Sequence, residues 1–295
     1  MLTVLFNVIF PVLCCVVIGY VWGRTRYEFP IDFVTKLVTN VGAPCLIVAT
    51  INQSELAWSD FLELAQLSLA VLVGFLLLGY LTFRALNMEF RQLSLTVIFP
   101  NTGNMGLSLC LFAFGEEGLA AALIIFVVIS LVHFTCGDFI LQRGVSPARR
   151  VATVLVQPIF IASIFAMLQV WIGFELPVSL ASTAELIGAI TIPLMLFALG
   201  VSLAAIHSSH WGKGFLIAVL RVPGGMLVAM AVIYLFDVQG VVAKALLLQS
   251  LMPSAVFNHF FALKYNSEVD VVASGVVVST VLAFVVLPPV LLYLL

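Results

Sequence analysis

Charge is what this chain has least of. Asp, Glu, Lys and Arg make up 9% of its 295 residues, where a soluble domain carries roughly 25%. Apolar residues reach 63% and mean hydropathy is +1.23. Such a chain is insoluble in water, so a soluble globular protein is excluded. No basic patch is present, and no nucleic-acid partner is expected. Cys14, Cys15, Cys45, Cys110 and Cys136 all lie in apolar stretches without a C-x-x-C pair. That argues against a metal centre or a disulfide framework, and the five are expected to be small packing residues. Neither G-x-S-x-G nor H-E-x-x-H occurs, so the common hydrolase signatures are missing. His207 and His210 lie three apart in a loop without a nearby acid. No enzymatic activity, metal or cofactor is expected.

What the chain does have is apolar length. A spanning helix needs roughly 20 mostly apolar residues. Ten such stretches are expected, at about 3–23, 31–51, 60–83, 91–114, 118–141, 151–173, 180–205, 214–236, 240–263 and 271–294. The run Leu2 to Trp22 is too long for a signal h-region and has no basic residues before it, so it is expected to stay as span 1. The loops alternate in charge. Arg24 and Arg26, Arg84 and Arg91, Arg143 to Arg150, Lys213 and Lys264 fall on one side. Glu55 and Asp60, Glu116 and Glu117, Glu175 and Asp237 fall on the other. The positive-inside rule puts the basic loops in the cytoplasm and both termini outside a plasma (inner) membrane.

The halves share landmarks. Pro11 and Pro158, Trp22 and Trp171, Pro44 and Pro193, and Pro100 and Pro253 are offset by 147, 149, 149 and 153 residues. The expected fold class is therefore an all-α membrane protein of ten transmembrane helices in two inverted five-helix repeats, 1–142 and 151–295. Pro100 and Pro253 lie in the middle of spans 4 and 9. Proline removes a backbone donor and clashes with the preceding turn, so both helices should break there. Broken backbone at membrane depth is tolerated only where it is buried or lines a cavity. The two breaks should cross near the bilayer centre.

The crossing carries the candidate site. The half-helices that follow the prolines begin with amide groups that have no partner inside the helix. Their dipoles add partial positive charge, which together attracts an anion without lysine or arginine. Asn101, Thr102, Asn104, Ser254 and Asn258 supply side-chain donors and acceptors for a small carboxylate, and Gly103 permits close approach. The alternative is that these polar groups only satisfy the broken backbone. Ionisable residues within spans are costly. His133, Arg221 and His259 are thus candidates for coupling, with snorkelling or carbonyl pairing the plainer reading of Arg221. Glu185 lies near the outer end of span 7, and Glu63 and Asp138 near span ends. No midplane pair of acids is visible, which argues against an exchanger that strips cations with two carboxylates.

Phe99-Pro100-Asn101-Thr102-Gly103-Asn104-Met105-Gly106-Leu107 resembles the L-P-N-T-x-x-M-G-I/L stretch of the auxin efflux carrier family. Met252-Pro253 through Phe261-Ala262-Leu263-Lys264-Tyr265-Asn266, Leu196 to Gly200, and Arg221 with Pro223 resemble further stretches of that family. The resemblance implies two crossing broken helices, a scaffold of spans 1, 2, 6 and 7, and a transport domain of spans 3–5 and 8–10. It also implies elevator-like movement of an organic anion, and a homodimer paired through its scaffolds. The family's Pro and Asn map onto Pro100 and Asn101. Ser254 stands where the plant members have glutamine, and Asn258-His259 where they are apolar, so auxin is not assumed as substrate. The expected function is secondary transport of a small organic anion across the lipid bilayer. Sodium- or proton-coupled symport of another organic solute, a channel and an embedded enzyme remain as alternatives.

Overall fold

The computed structural model describes residues 2–25, 27–53, 58–141, 155–206 and 209–295. Arg26, Glu55, the basic stretch 143–150 and His207 lie outside the described residues. Among the described residues the secondary structure is helical, apart from an isolated backbone bridge between Pro100 and Ser254. Seven helical stretches are long and apolar enough to cross a membrane: Phe6–Gly23, Ile31–Gln53, Trp58–Ala85, Thr102–His133, Val178–Ala205, Trp211–Leu235 and Val269–Leu294. Two shorter apolar helices, Pro158–Ile172 and Gly240–Ser250, accompany them.

Several stretches are composite, and proline explains the main interruptions. Helix α1 is Leu2–Gly23. Helices α2 (Ile31–Leu37) and α3 (Ala43–Gln53) are joined by a π-helical turn, Val38–Gly42. Pro44 cannot donate to a carbonyl one turn back, which favours the wider turn before it. Helix α4 is Trp58–Ala85 and α5 is Phe90–Ile98. After α5 the chain extends through Phe99 and Pro100 and re-enters a helix by a second π-helical turn, Thr102–Gly106. That turn leads into α6, Leu107–Leu141, which is interrupted at Gly115 with φ 67° and ψ −157°. Only glycine adopts such backbone angles at low cost.

The second half continues with α7 (Pro158–Ile172), α8 (Val178–Ala189) and α9 (Thr191–Ala205). Pro193 accounts for the step between α8 and α9, since it lacks the amide that would bond back across Ile190. Helices α10 (Trp211–Arg221) and α11 (Pro223–Leu235) follow. Then come α12 (Gly240–Ser250), α13 (Val256–Tyr265) and α14 (Val269–Leu294).

Packing gathers these helices into neighbourhoods. Helix α1 lies along α9, and α3 lies against α7 and α8. Elsewhere α4 packs on α5 and α6, α12 on α6, and α10 on α14. The α1–α9 contact is close because of Gly19 and Gly200. A Cβ on Gly19 would strike the Phe197 backbone, and one on Gly200 the backbone of Val16 and Tyr20. Small residues that let backbones touch are the usual basis of helix pairing in lipid. The outward faces remain apolar, with Phe6, Val17, Ile18, Ile164, Trp171 and Leu227 exposed. Apolar side chains pointing outward suit lipid as the surrounding solvent.

Candidate functional site

The two proline breaks meet in the interior. The Asn101 amide donates to the Pro253 carbonyl at 2.7 Å, and the Ala255 amide donates to the Phe99 carbonyl at 3.1 Å. The Ser254 amide donates to the Ser279 hydroxyl at 3.0 Å. This corrects one sequence expectation. Some amides expected to face a ligand are consumed in joining the breaks to each other, because two extended segments side by side satisfy their backbone as a minimal antiparallel pair. The donors left over sit one step further on. The first π-helical bond runs from the Gly106 amide to the Asn101 carbonyl at 3.2 Å. The amides of Thr102 to Met105 precede it and have no acceptor inside the helix.

Beside the crossing lies a cavity of about 50 Å³. Its polar wall comes from Asn101, Thr102, Asn104, Thr39, Ser130 and His133, with Pro100 and Gly103 between them. Phe126, Ile129, Ile159, Met195 and Phe257 supply the apolar wall. Two further spaces, of about 40 Å³ and 220 Å³, adjoin it, and all three share Thr39 and Phe257. The inner space has room for a few waters at roughly 10–15 Å³ each. Among the described residues, none that lines the three spaces is Lys, Arg, Asp or Glu. The positive character there is that of backbone amides and a helix start.

The expected site residues divide into two sets. Asn101, Thr102, Gly103 and Asn104 line the cavity. Asn101 is 5% exposed, and its side-chain Nδ2 is buried without an acceptor. Ser254 and Asn258 are buried but do not line it. Asn258 Nδ2 donates to the Phe99 carbonyl at 3.2 Å and to the Ser254 hydroxyl at 2.9 Å. Those two side chains therefore tie the second break to the first. Pro253 lies within the crossing, and its carbonyl accepts the Asn101 amide.

The three coupling candidates also separate. His133 lines the cavity and stacks on Phe99, with ring centroids 4.1 Å apart and planes at 10°. His259 lies on α13 outside the cavity wall, with Asp270 as a charged neighbour. Arg221 is fully buried away from the cavity. Its guanidinium donates to the carbonyls of Met252 (3.1 Å), Val97 and Ser250. Thr39, Ser130 and Phe257 were not anticipated from the sequence. Thr39 had a local signal, since the π-helical turn that presents it precedes Pro44. Such turns concentrate at functional sites. Ser130 and Phe257 have no comparable signal.

A protein-family profile described as "Membrane transport protein" matches residues 4–147 and 149–291. The chain is 26% identical to an uncharacterized transporter of Methanocaldococcus jannaschii, over 95% of this chain and 96% of that one. It is 25% identical to an uncharacterized transporter of Methanothermobacter thermautotrophicus, over 95% of each. It is 24% identical to the uncharacterized transporter YfdV of Escherichia coli, over 99% of this chain and 98% of that one.

Proposed function

Because the chain belongs to the membrane transport protein family, we propose that it is a secondary transporter for a small organic anion, with a carboxylate of the anion bound at the crossing. It is a multi-pass membrane protein of that family. The observation that carries the substrate class is the buried Nδ2 of Asn101, which lacks an acceptor in the cavity wall. A buried donor left unmade costs about 1–3 kcal/mol. A carboxylate relieves that cost through a charge-assisted bond. The first-turn amides of Thr102 to Met105 and the local helix dipole favour negative charge at the same place. Thr102, Asn104 and Thr39 orient the ligand, and its remaining atoms extend into the adjoining spaces past Phe257.

Ten spans follow if α2 with α3, α5 with the first part of α6, α8 with α9, α10 with α11, and α12 with α13 each count as one. Gly115 then separates spans 4 and 5. The proline and tryptophan offsets support two inverted repeats. The cavity draws Thr39, Ile159 and Met195 from spans 2, 6 and 7, and Asn101, Ser130 and Ala255 from spans 4, 5 and 9. That composition supports an elevator, in which spans 3–5 and 8–10 carry the anion past spans 1, 2, 6 and 7. The alternating loop charges support cytoplasmic basic loops in a plasma (inner) membrane, and the scaffold faces pair as a homodimer. The membrane potential supplies about 2.3 kcal/mol per charge per 100 mV for export of an anion.

Thermal unfolding of the purified protein against a panel of small mono- and dicarboxylates tests this. At least one carboxylate should raise Tm in the wild type and leave Asn101→Ala unchanged. A panel without effect, or an equal shift in the variant, would show that the crossing is no anion site.

A further inference from the structure

Each broken helix has a C-terminal end as well as the N-terminal start that faces the cavity. Those C-terminal ends present carbonyls without helical partners and carry partial negative charge. Val97 lies in the last turn of α5, and Ser250 closes α12. Arg221 reaches both. Its Nη1 donates to the Val97 carbonyl, its Nη2 to the Ser250 carbonyl and its Nε to the Met252 carbonyl. The guanidinium also lies over the Phe75 ring at 3.9 Å. Gly225, one turn further along, keeps the space open. A Cβ there would stand 2.5 Å from Arg221 Nη2 and against the Ser250 carbonyl.

We propose that Arg221 is a positioning residue that clasps the C-terminal ends of both broken helices, so that the two breaks keep one register and move as a unit. One planar fork bonded to both helices sets the distance between them, and the Phe75 face holds the plane of the fork. Arg221 does not line the proposed ligand site, so the geometry of that site depends on a residue that never touches the ligand. This last consequence rests on the anion-site reading above; the clasp itself does not.

The test is ligand-free hydrogen exchange on the full-length protein in lipid nanodiscs, comparing wild type with Arg221→Lys. An ammonium is a point donor and cannot span carbonyls on two helices as a fork does. Exchange at the Asn101 and Ala255 amides, which join the breaks, should accelerate together by about tenfold or more, while the interior of α4 keeps its protection. Wild-type exchange at either amide in the lysine variant would overturn the clasp. If Arg221→Lys does not fold, Gly225→Ala decides by the same readout, since it displaces the fork and keeps the charge. A second arm measures transport of whichever carboxylate stabilises the wild type, and its KM should rise about tenfold in Arg221→Lys. A wild type that responds to no carboxylate defeats the anion reading and leaves the exchange result to judge Arg221 alone.

Discussion

The two proline breaks start from the same local chemistry and end in different roles. Both remove a donor in mid-helix, and both are followed by small and polar residues. After Pro100, the polar residues line the cavity and leave an Asn101 donor unused. After Pro253, Ser254 and Asn258 turn inward, and Asn258 bonds back to Phe99 of the first break. One break lines the cavity and the other braces it. The difference lies in the re-entry. The first break restarts as a wide π-helical turn at the cavity, and the second restarts as an ordinary α-helix under the crossing.

That division can be tested residue by residue. The largest effect belongs to Asn101→Ala. Loss of a charge-assisted bond worth about 1.5–3 kcal/mol should weaken ligand affinity roughly 10- to 100-fold, while the Tm of the ligand-free protein should not fall, since an unpaired buried donor is removed. Asn258→Ala should act the other way round. It removes two bonds within the crossing, so stability should fall by about 1–2 kcal/mol, read as a lower Tm, while affinity in the folded fraction stays within severalfold. A stable Asn258→Ala that binds no ligand would break the comparison.

Gly103→Ala sharpens it. A Cβ there would stand 2.7 Å from Met195 Cε and 2.8 Å from Phe126 Cε2. Shrinking the cavity in this way should penalise larger carboxylates more than smaller ones, by a factor of several in a competition assay. Ser254→Ala is expected to be the mildest. It takes one acceptor from Asn258 and should cost on the order of 0.6 kcal/mol, seen as a small Tm change with unaltered ligand response.

Much of this is legible in the sequence alone. The expected span 31–51 corresponds to Ile31–Gln53, and 60–83 to Trp58–Ala85. The positions of both breaks followed from Pro100 and Pro253 alone. The cavity-lining role of Asn101, Thr102 and Asn104 followed from their place just after a break. The other half of the expected site did not follow. Ser254 and Asn258 share the polarity and spacing of the first set, and polarity does not tell which way a side chain faces when two helices cross. Arg221 had a legible plain reading, snorkelling or carbonyl pairing, and the structure shows the second. Which carbonyls it pairs with was invisible, since Val97 and Ser250 lie 124 and 29 residues away.

The sequence by itself determined the solvent and the points of rupture. Scarce charge and long apolar runs require a membrane, and a proline inside such a run interrupts its helix through its own covalent structure. Both are local properties that survive any packing. Only the tertiary structure decided which polar groups became cavity-facing and which became struts. That choice depends on which backbone groups of one break lie within hydrogen-bond reach of the other, and no residue carries that information until the helices have crossed.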